Sequence, residues 1–559
     1  MSRCCIGCNS HVLPFPLAGD DQRVTEAHNY TRTLKGQVGM LHAAGRFVAP
    51  ILIFTLLAGT AWTGRASVAR VDVDPALHSG DVALIQVAAG TAWTVAHDLA
   101  TAGATDVAVF DAIDIVSARV SDAALTTIGT DRLVLRATTD ATVVAAGGGP
   151  DSALDQFGDT SRALSAGNAA IHAPTAWSRS TGAGVVVALV DSGIGLNPDL
   201  SAGKVVTRVN FVTDDATSLD PAGHGTHLAG IIAANGATFR GVAPDARLVD
   251  LRVLDRNGNG RLRDVVAAFD WLLKHRKAFG IGVLNLSIGM KQTSSYHADL
   301  LAALAEAAWF SGVAVVAAAG NDGPTAGRVA TPGADPFVIT VGSFDDQGTV
   351  ATQDDRESVF SSRGPTADGF AKPDILAPGR RVMSLRALDG APGSATVQAA
   401  ANVRGRPVTS SVSFDPTFYV RMTGTSVSSA MVAGVAALVL SHHPDYSPTK
   451  IKGAVLGSGR GITGSPREAV DAAKALSATE RAVNKSLLPS RLLMQTLVKS
   501  GVTGSGATWE GITWEGVSWE AVTWETVTWE AVTWESVSWE GVMWETIGSG
   551  TDPLLDRAP

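Results

Sequence analysis

The stretch VVVALVDSGIG (residues 185–195) decides the fold. Its first six residues are apolar whichever way they face and mostly β-branched, the pattern of a strand buried on both sides, as in parallel sheets covered by helices. The run then stops at Asp191 and a Ser-Gly turn, which places a carboxylate at the carboxyl end of a buried strand. Comparable runs follow in RLVDLRVL (247–254), VLNLSIG (283–289), VAVVAAAG (313–320) and PFVITVGS (336–343), with helical segments between them. This alternation predicts an α/β fold with a doubly wound, mostly parallel sheet and helices on both faces, its functional groups gathered at strand carboxyl ends. Asp191 and Asn321 both stand at such ends.

At 559 residues the chain exceeds what one core normally organises, so several regions are expected around a catalytic-sized middle. Hydrophobic residues at 45% and charged residues at 17% describe a chain that mostly folds. The net charge of -9 gives no broad cationic footprint, which argues against nucleic acid as a partner. The three cysteines are Cys4, Cys5 and Cys8, so everything beyond them lacks disulfides and Cys-ligated metal. The apolar run FVAPILIFTLLAGTAW (47–62), preceded by Arg46, has the make-up of a secretory signal and is short for a membrane span. Translation from Met40 would give it a short basic n-region; an uncleaved membrane anchor is the alternative. The expected regions are thus a dispensable leader or misassigned start over 1–39 and a signal peptide over 40–66.

From Val82 to about Ala146 the pattern reads strand, helix, strand, strand, helix, strand, a small α+β, ferredoxin-like arrangement. Gly147, Gly148, Gly149 and Pro150 break it, so a domain boundary is placed there, with 67–150 as one region and 151–478 as the catalytic domain. The core pattern fades after about Ala478, leaving 479–507 as a linker, and 508–547 holds eight five-residue copies from TWEGI to MWETI, with 548–559 as a tail. In a helix a five-residue step turns successive Trp by about 140°, and in a strand it alternates faces, so neither makes one apolar face. One turn of chain per pentad would align them as a ladder that binds a cell-surface or wall ligand; a low-complexity spacer is the alternative.

Three strings carry chemistry: VVVALVDSGIG, GHGTHLAG (223–230) and GTSVSSAMVAG (424–434). Amide hydrolysis needs a strong nucleophile, a base for its proton and an acid for the departing amine. A hydroxyl, an imidazole titrating near neutrality and a carboxylate that orients that imidazole meet these needs. Singly, Asp191, His224 and Ser426 would read as turn, helix-start and cap residues. Together they fall at strand or helix ends of one α/β pattern.

These strings, with VLNLSIG, AAAGNDG and FSSRGPTADGFAKPDILAPG (360–379) between them in order, resemble the signature motifs of the subtilisin-like serine protease family over roughly 173–478. The resemblance implies a secreted serine endopeptidase in which Asp191 orients, His224 is the base, Ser426 is the nucleophile and His227 is structural. It also implies that Asn321 and the Ser426 backbone N–H stabilise the oxyanion. Ser287, Ile288 and Gly289 on one side, and Gly258 and Gly260 on the other, resemble the edges that bind an extended protein or peptide substrate. The region 67–150 resembles the family's inhibitory propeptide, removed by self-cleavage. No cofactor is implied for the chemistry; structural calcium is implied in general, with no site assignable, and the EF-hand-like loop at Asp255 fails because Val266 stands where Glu should close it. Two departures stand out: Ala430 and Met431 replace the family's Pro and His, and 387–417 is an insertion placed to shape the cleft. A silent fold used for binding and an adhesin carrying a protease module are the competing readings.

Overall fold

The computed structural model describes residues 71–146, 166–213, 218–389, 418–485, 487–490 and 493, all within one compact unit, Ser67–Pro559. The leader with its cysteines, the apolar run 47–62, most of the 387–417 insertion and the Trp-Glu repeat lie outside the described residues.

The N-terminal region runs β1 (Val82–Val87), α1 (Ala92–Thr101), β2 (Thr105–Phe110), β3 (Ile115–Arg119), α2 (Asp122–Thr130) and β4 (Val134–Thr139). Its strands lie in the order β4-β1-β3-β2 with antiparallel neighbours, and a two-residue strand, Asp72–Val73, pairs parallel beside β4. Strand alternation splits β1 between two cores. Ile85 and Val87 pack with Val95, Leu99 and Ile128 from the two helices, whereas Leu84 joins the core of the larger domain. Ser121 caps α2 by accepting from Ala124 N–H at 3.1 Å.

After this sheet the chain continues as β5 (Thr142–Ala145) and leaves for the larger domain. There β6 (Val186–Asp191), β7 (Val205–Asn210), α3 (His224–Ala233), β8 (Arg247–Arg252), β9 (Asn259–Arg261), α4 (Leu262–Phe279), β10 (Ile281–Leu286) and β11 (Ile288–Lys291) come first. They are followed by α5 (Leu300–Phe310), β12 (Ala314–Ala318), β13 (Ile339–Asp345), β14 (Ile375–Pro378) and α6 (Thr425–His442). Seven strands of the ten-stranded main sheet have the order β14-β13-β12-β10-β6-β8-β7, every neighbouring pair among them parallel, and short antiparallel additions pair at Arg356–Glu357 and Arg460–Gly461. Every residue of β6 is buried. Strand order reverses at β6, so Asp191 opens onto the crevice where α/β sheets place their ligands. Helices α3 and α6 pack on each other and on the sheet, and α4 and α5 form a second such pair. The run VLNLSIG holds two strands, β10 and β11, parted at Ser287.

Helix α6 is long and apolar enough to cross a bilayer, yet 83% of it is buried inside the protein, and it is a core helix. A Cβ on Gly434 would lie 2.6 Å from Val242 Cβ, so the close approach needs glycine.

The core does not end at 478. Lys452 Nζ donates to Asn484 Oδ1 at 3.1 Å, Tyr296 Oη donates to Leu488 O at 2.7 Å, and the Glu306 carboxylate accepts from Ser490 N–H at 2.8 Å. The start of the expected 479–507 linker is therefore packed on the domain. Leu487 and Leu493 pack on the same core, but two leucines among polar attachments leave no apolar period in the sequence.

Gly434→Leu, made in a Ser426→Ala background to prevent self-digestion, is expected to cost about 1–3 kcal/mol by overpacking. Urea unfolding should show a lower midpoint with an unchanged slope.

Candidate active site

Three elements deliver three side chains to one point. Asp191 ends β6, His224 begins α3 and Ser426 lies in the first turn of α6. A Cβ on Gly225 would sit 2.1 Å from Gly193 O, so the loop after β6 and the start of α3 touch backbone to backbone, and only glycine fits. Asp191 Oδ1 accepts from Ser192 N–H at 2.8 Å and from His224 Nδ1 at 2.8 Å. A carboxylate only accepts, so Nδ1 carries the proton and Nε2 is left to accept from Ser426 Oγ, 3.1 Å away. All three side chains are buried. Burial alone pushes the His224 imidazole down, but the Asp191 charge and hydrogen bond, helped by Asp220, outweigh it, and the net shift is upward.

The carbonyl oxygen of Ala146 points into this group. It accepts from Asn321 Nδ2 at 2.5 Å and from Ser426 N–H at 3.3 Å. Asn321 is itself aimed by Thr425, whose N–H and Oγ1 donate to Asn321 Oδ1 at 2.9 and 3.1 Å. The Ser426 N–H belongs to the open first turn of α6, where unpaired amides and the helix dipole favour negative charge.

Strand β5 reaches this position by lying antiparallel between β9 and β11. Ala146 N–H donates to Ser287 O at 2.8 Å, and Ala145 N–H donates to Gly258 O at 2.9 Å. Ala145 is opposite Ile288, Val144 opposite Gly289 and Asn259, and Val143 opposite Gly260. All five residues read from the sequence as strand-binding edges thus flank one extended segment of the chain's own N-terminal region. Along it Val143 is fully buried and Val144 is 44% exposed. The same region is pinned to α4, where Ala112 N–H donates to Asp270 Oδ1 at 2.9 Å and Lys274 pairs with Asp270 and Asp111.

His227 is not part of the group. Its Nε2 donates to Val382 O at 3.1 Å, and burial, with His224 beside it, pushes its imidazole down to about 3, so it stays neutral. Ala430 and Met431 are buried in the core around α6 and approach no reacting atom. Among the described residues, no three His, Cys, Asp or Glu side chains converge to hold a metal ion; part of the acidic loop TDDATSLD lies outside the described residues. Sequence reasoning missed Thr425 and the seat of Ala146. The signal for Thr425 was its place beside Ser426; Ala146 had none, because Ala before three glycines reads as a boundary.

Residues 182–475, just over half of the chain, match the family model described as the subtilase family. This chain is a subtilase. It is 38% identical over 283 residues to serine protease AprX of Bacillus subtilis strain 168, a match covering 49% of this chain and 60% of AprX. It is 33% identical over 285 residues to subtilisin Savinase of Lederbergia lenta, covering 50% of this chain and 86% of that protein. The subtilase also shares its fold with fervidolysin from Fervidobacterium pennivorans, a keratinolytic enzyme, at TM-score 0.56 and 22% identity, covering 74% of this chain and 63% of that one.

In the Ser426→Ala protein, the His224 imidazole is expected to titrate above the ordinary value of about 6.5 and to move down on Asp191→Asn. Histidine-resolved NMR titration reads both; a His224 value below the ordinary one contradicts the charge balance.

Proposed function

We propose that this subtilase is an exported serine endopeptidase, made as a precursor whose own residues up to Ala146 first occupy and then inhibit its cleft. The observation that carries the reading is the Ala146 carbonyl, held between Asn321 Nδ2 and Ser426 N–H beside a hydroxyl already bonded to a neutral imidazole nitrogen. In this reading Ser426 Oγ attacks that carbonyl carbon as His224 Nε2 takes its proton, and the charge gathering on the carbonyl oxygen meets the two donors. Asp191 holds the imidazole in the required tautomer and stabilises its charged form. His224 then gives the proton to the nitrogen of Gly147; the peptide bond breaks, and Ala146 remains as an ester on Ser426. Water attacks the ester by the same route in reverse, releasing a carboxylate and restoring the hydroxyl.

The ferredoxin-like reading of 82–139 rests on the strand order β4-β1-β3-β2 with two covering helices. As a propeptide it would stay bound after cleavage through β5, its Asp111 and Ala112 contacts with α4, and the Asp140 carboxylate that accepts from Arg263 N–H at 3.0 Å. Backbone pairing of the β5 kind tolerates many side chains, which suits unfolded protein or peptide substrates. Nucleophile, base and oxyanion donors all come from the chain, so the proposed chemistry calls on no cofactor. Export is supported by the apolar run 47–62, and the Trp-Glu repeat is assigned a cell-surface ligand.

A fluorophosphonate probe is expected to label Ser426, and Ser426→Ala to abolish both labelling and release of a mature chain beginning at Gly147. An unlabelled but folded mature protein sinks the enzyme reading; an N-terminus elsewhere sinks the proposed cleavage site. Asn321→Ala should lower kcat by roughly 10²–10³-fold with little change in KM. Removing residues 508–547 should leave peptide hydrolysis intact and reduce retention at the cell surface, as measured by fractionation; unchanged retention would reject the surface role.

A further inference from the structure

A second buried carboxylate stands beside Asp191 and His224, and the reaction as written does not use it. Asp220 is fully buried, and its two oxygens accept four hydrogen bonds. Oδ1 takes Ser192 Oγ and Gly223 N–H, both at 2.8 Å. Oδ2 takes Thr226 N–H at 2.8 Å and Thr226 Oγ1 at 2.6 Å. Neither hydroxyl is free to turn. Ser192 Oγ already accepts from Gly225 N–H at 3.0 Å, and Thr226 Oγ1 accepts from Gly195 N–H at 2.7 Å, so their own protons go to Asp220. The two backbone amides are donors only. Burial pushes this carboxyl up on balance, and the four donors directed at its oxygens oppose that by favouring the anion.

The placement of these donors matters more than their number. Ser192 follows Asp191 directly; Gly223 precedes His224, and Thr226 lies two residues after it. One carboxylate therefore grips both strands of chain from which the Asp191–His224 bond is made. The charged and titratable groups facing it are Asp191 from β6, Asp250 from β8 and, on α3 itself, His224 and the neutral His227. Asp250 accepts from Ile194 N–H at 2.9 Å, and burial pushes its carboxyl up to about 7 despite Arg208 Nε of β7 at 3.8 Å. Asp389 closes the outer side by accepting from Leu196 and Leu219 N–H at 2.8 and 2.9 Å. Among the described residues nothing cationic hydrogen-bonds to Asp220, so its field reaches His224 through a buried interior where charge carries far.

We propose that Asp220 is a positioning residue for the Asp191–His224 pair, fixing the imidazole through the start of α3 and stabilising the imidazolium with a permanent buried negative charge. This rests on the endopeptidase reading. Removing the charge disfavours protonated His224, so the base becomes available at lower pH.

The test compares the mature parent with Asp220→Asn and Ser192→Ala, following kcat and KM on a peptide substrate across pH. In Asp220→Asn, kcat is expected to fall roughly tenfold to hundredfold with KM within about twofold, and the acid limb of kcat/KM to move about half a unit or more to lower pH. Ser192→Ala breaks one grip but keeps the charge, so kcat should fall without that movement. An acid limb of Asp220→Asn that coincides with the parent's overturns the proposal, because loss of folded protein alone scales the profile without moving it. Should Asp220→Asn fail to fold, Ser192→Ala decides: a parental kcat overturns the proposal, and a lowered kcat at an unmoved limb supports it. A parent without turnover refutes instead the reading beneath it.

Discussion

The hydrogen bond from His224 to Asp191 joins two pieces of chain that share no local structure, the end of a parallel strand and the start of a helix. Both groups are buried, and burying a charge without compensation is costly, so the surroundings must supply partners or the site would relax apart. The amide after Asp191 donates to its Oδ1, the Gly223 and Thr226 amides opening α3 satisfy the neighbouring Asp220, and the first turns of α3 and α6 bring their dipoles to the same point. Much of the larger domain can be understood as the framework that keeps these ends together. The parallel sheet fixes where β6 stops, and the α3–α6 contact fixes how far His224 stands from Ser426.

Under the proposed reading the structure is also a picture of recognition. Strand β5 lies between β9 and β11 in a four-stranded sheet that Ala330–Thr331 completes, and in the proposed precursor the carbonyl of Ala146, just after β5, belongs to the bond to be broken. Such pairing uses main-chain groups that every peptide has, leaving selection to the side chains that point inward. Val143 points inward and Val144 does not, so the chain's own segment displays which positions the cleft notices.

What the sequence made legible was whatever repeats with a period or sits at a break in one. The buried runs marked the strands, and Asp191, Asn321 and Ser426 stood where runs stop or helices begin. The gathering of Asp191, His224 and Ser426 was carried by the resemblance of their three strings to the subtilisin-like motifs, since Asp191 ends a strand while the other two stand at helix starts. What stayed hidden depends on contacts between distant, unpatterned residues. Thr425 aims Asn321 through a side-chain bond with no sequence period, Asp220 looks like any loop acid, and residues 484–490 attach through polar and backbone groups with only Leu487 on the core. VLNLSIG read as one strand because a single kink at Ser287 leaves the apolar run unbroken.

Helix α6 both carries the proposed nucleophile and fills the middle of the domain. Its amide at Ser426 points at the Ala146 carbonyl, while the rest of its length is locked among β10, β12, β13 and α3. The attacking group consequently has no private hinge: it cannot drift, loosen or adapt unless the domain's central support moves with it. Warming should therefore leave competence intact until the whole domain gives way, so that inactivation and collapse arrive together.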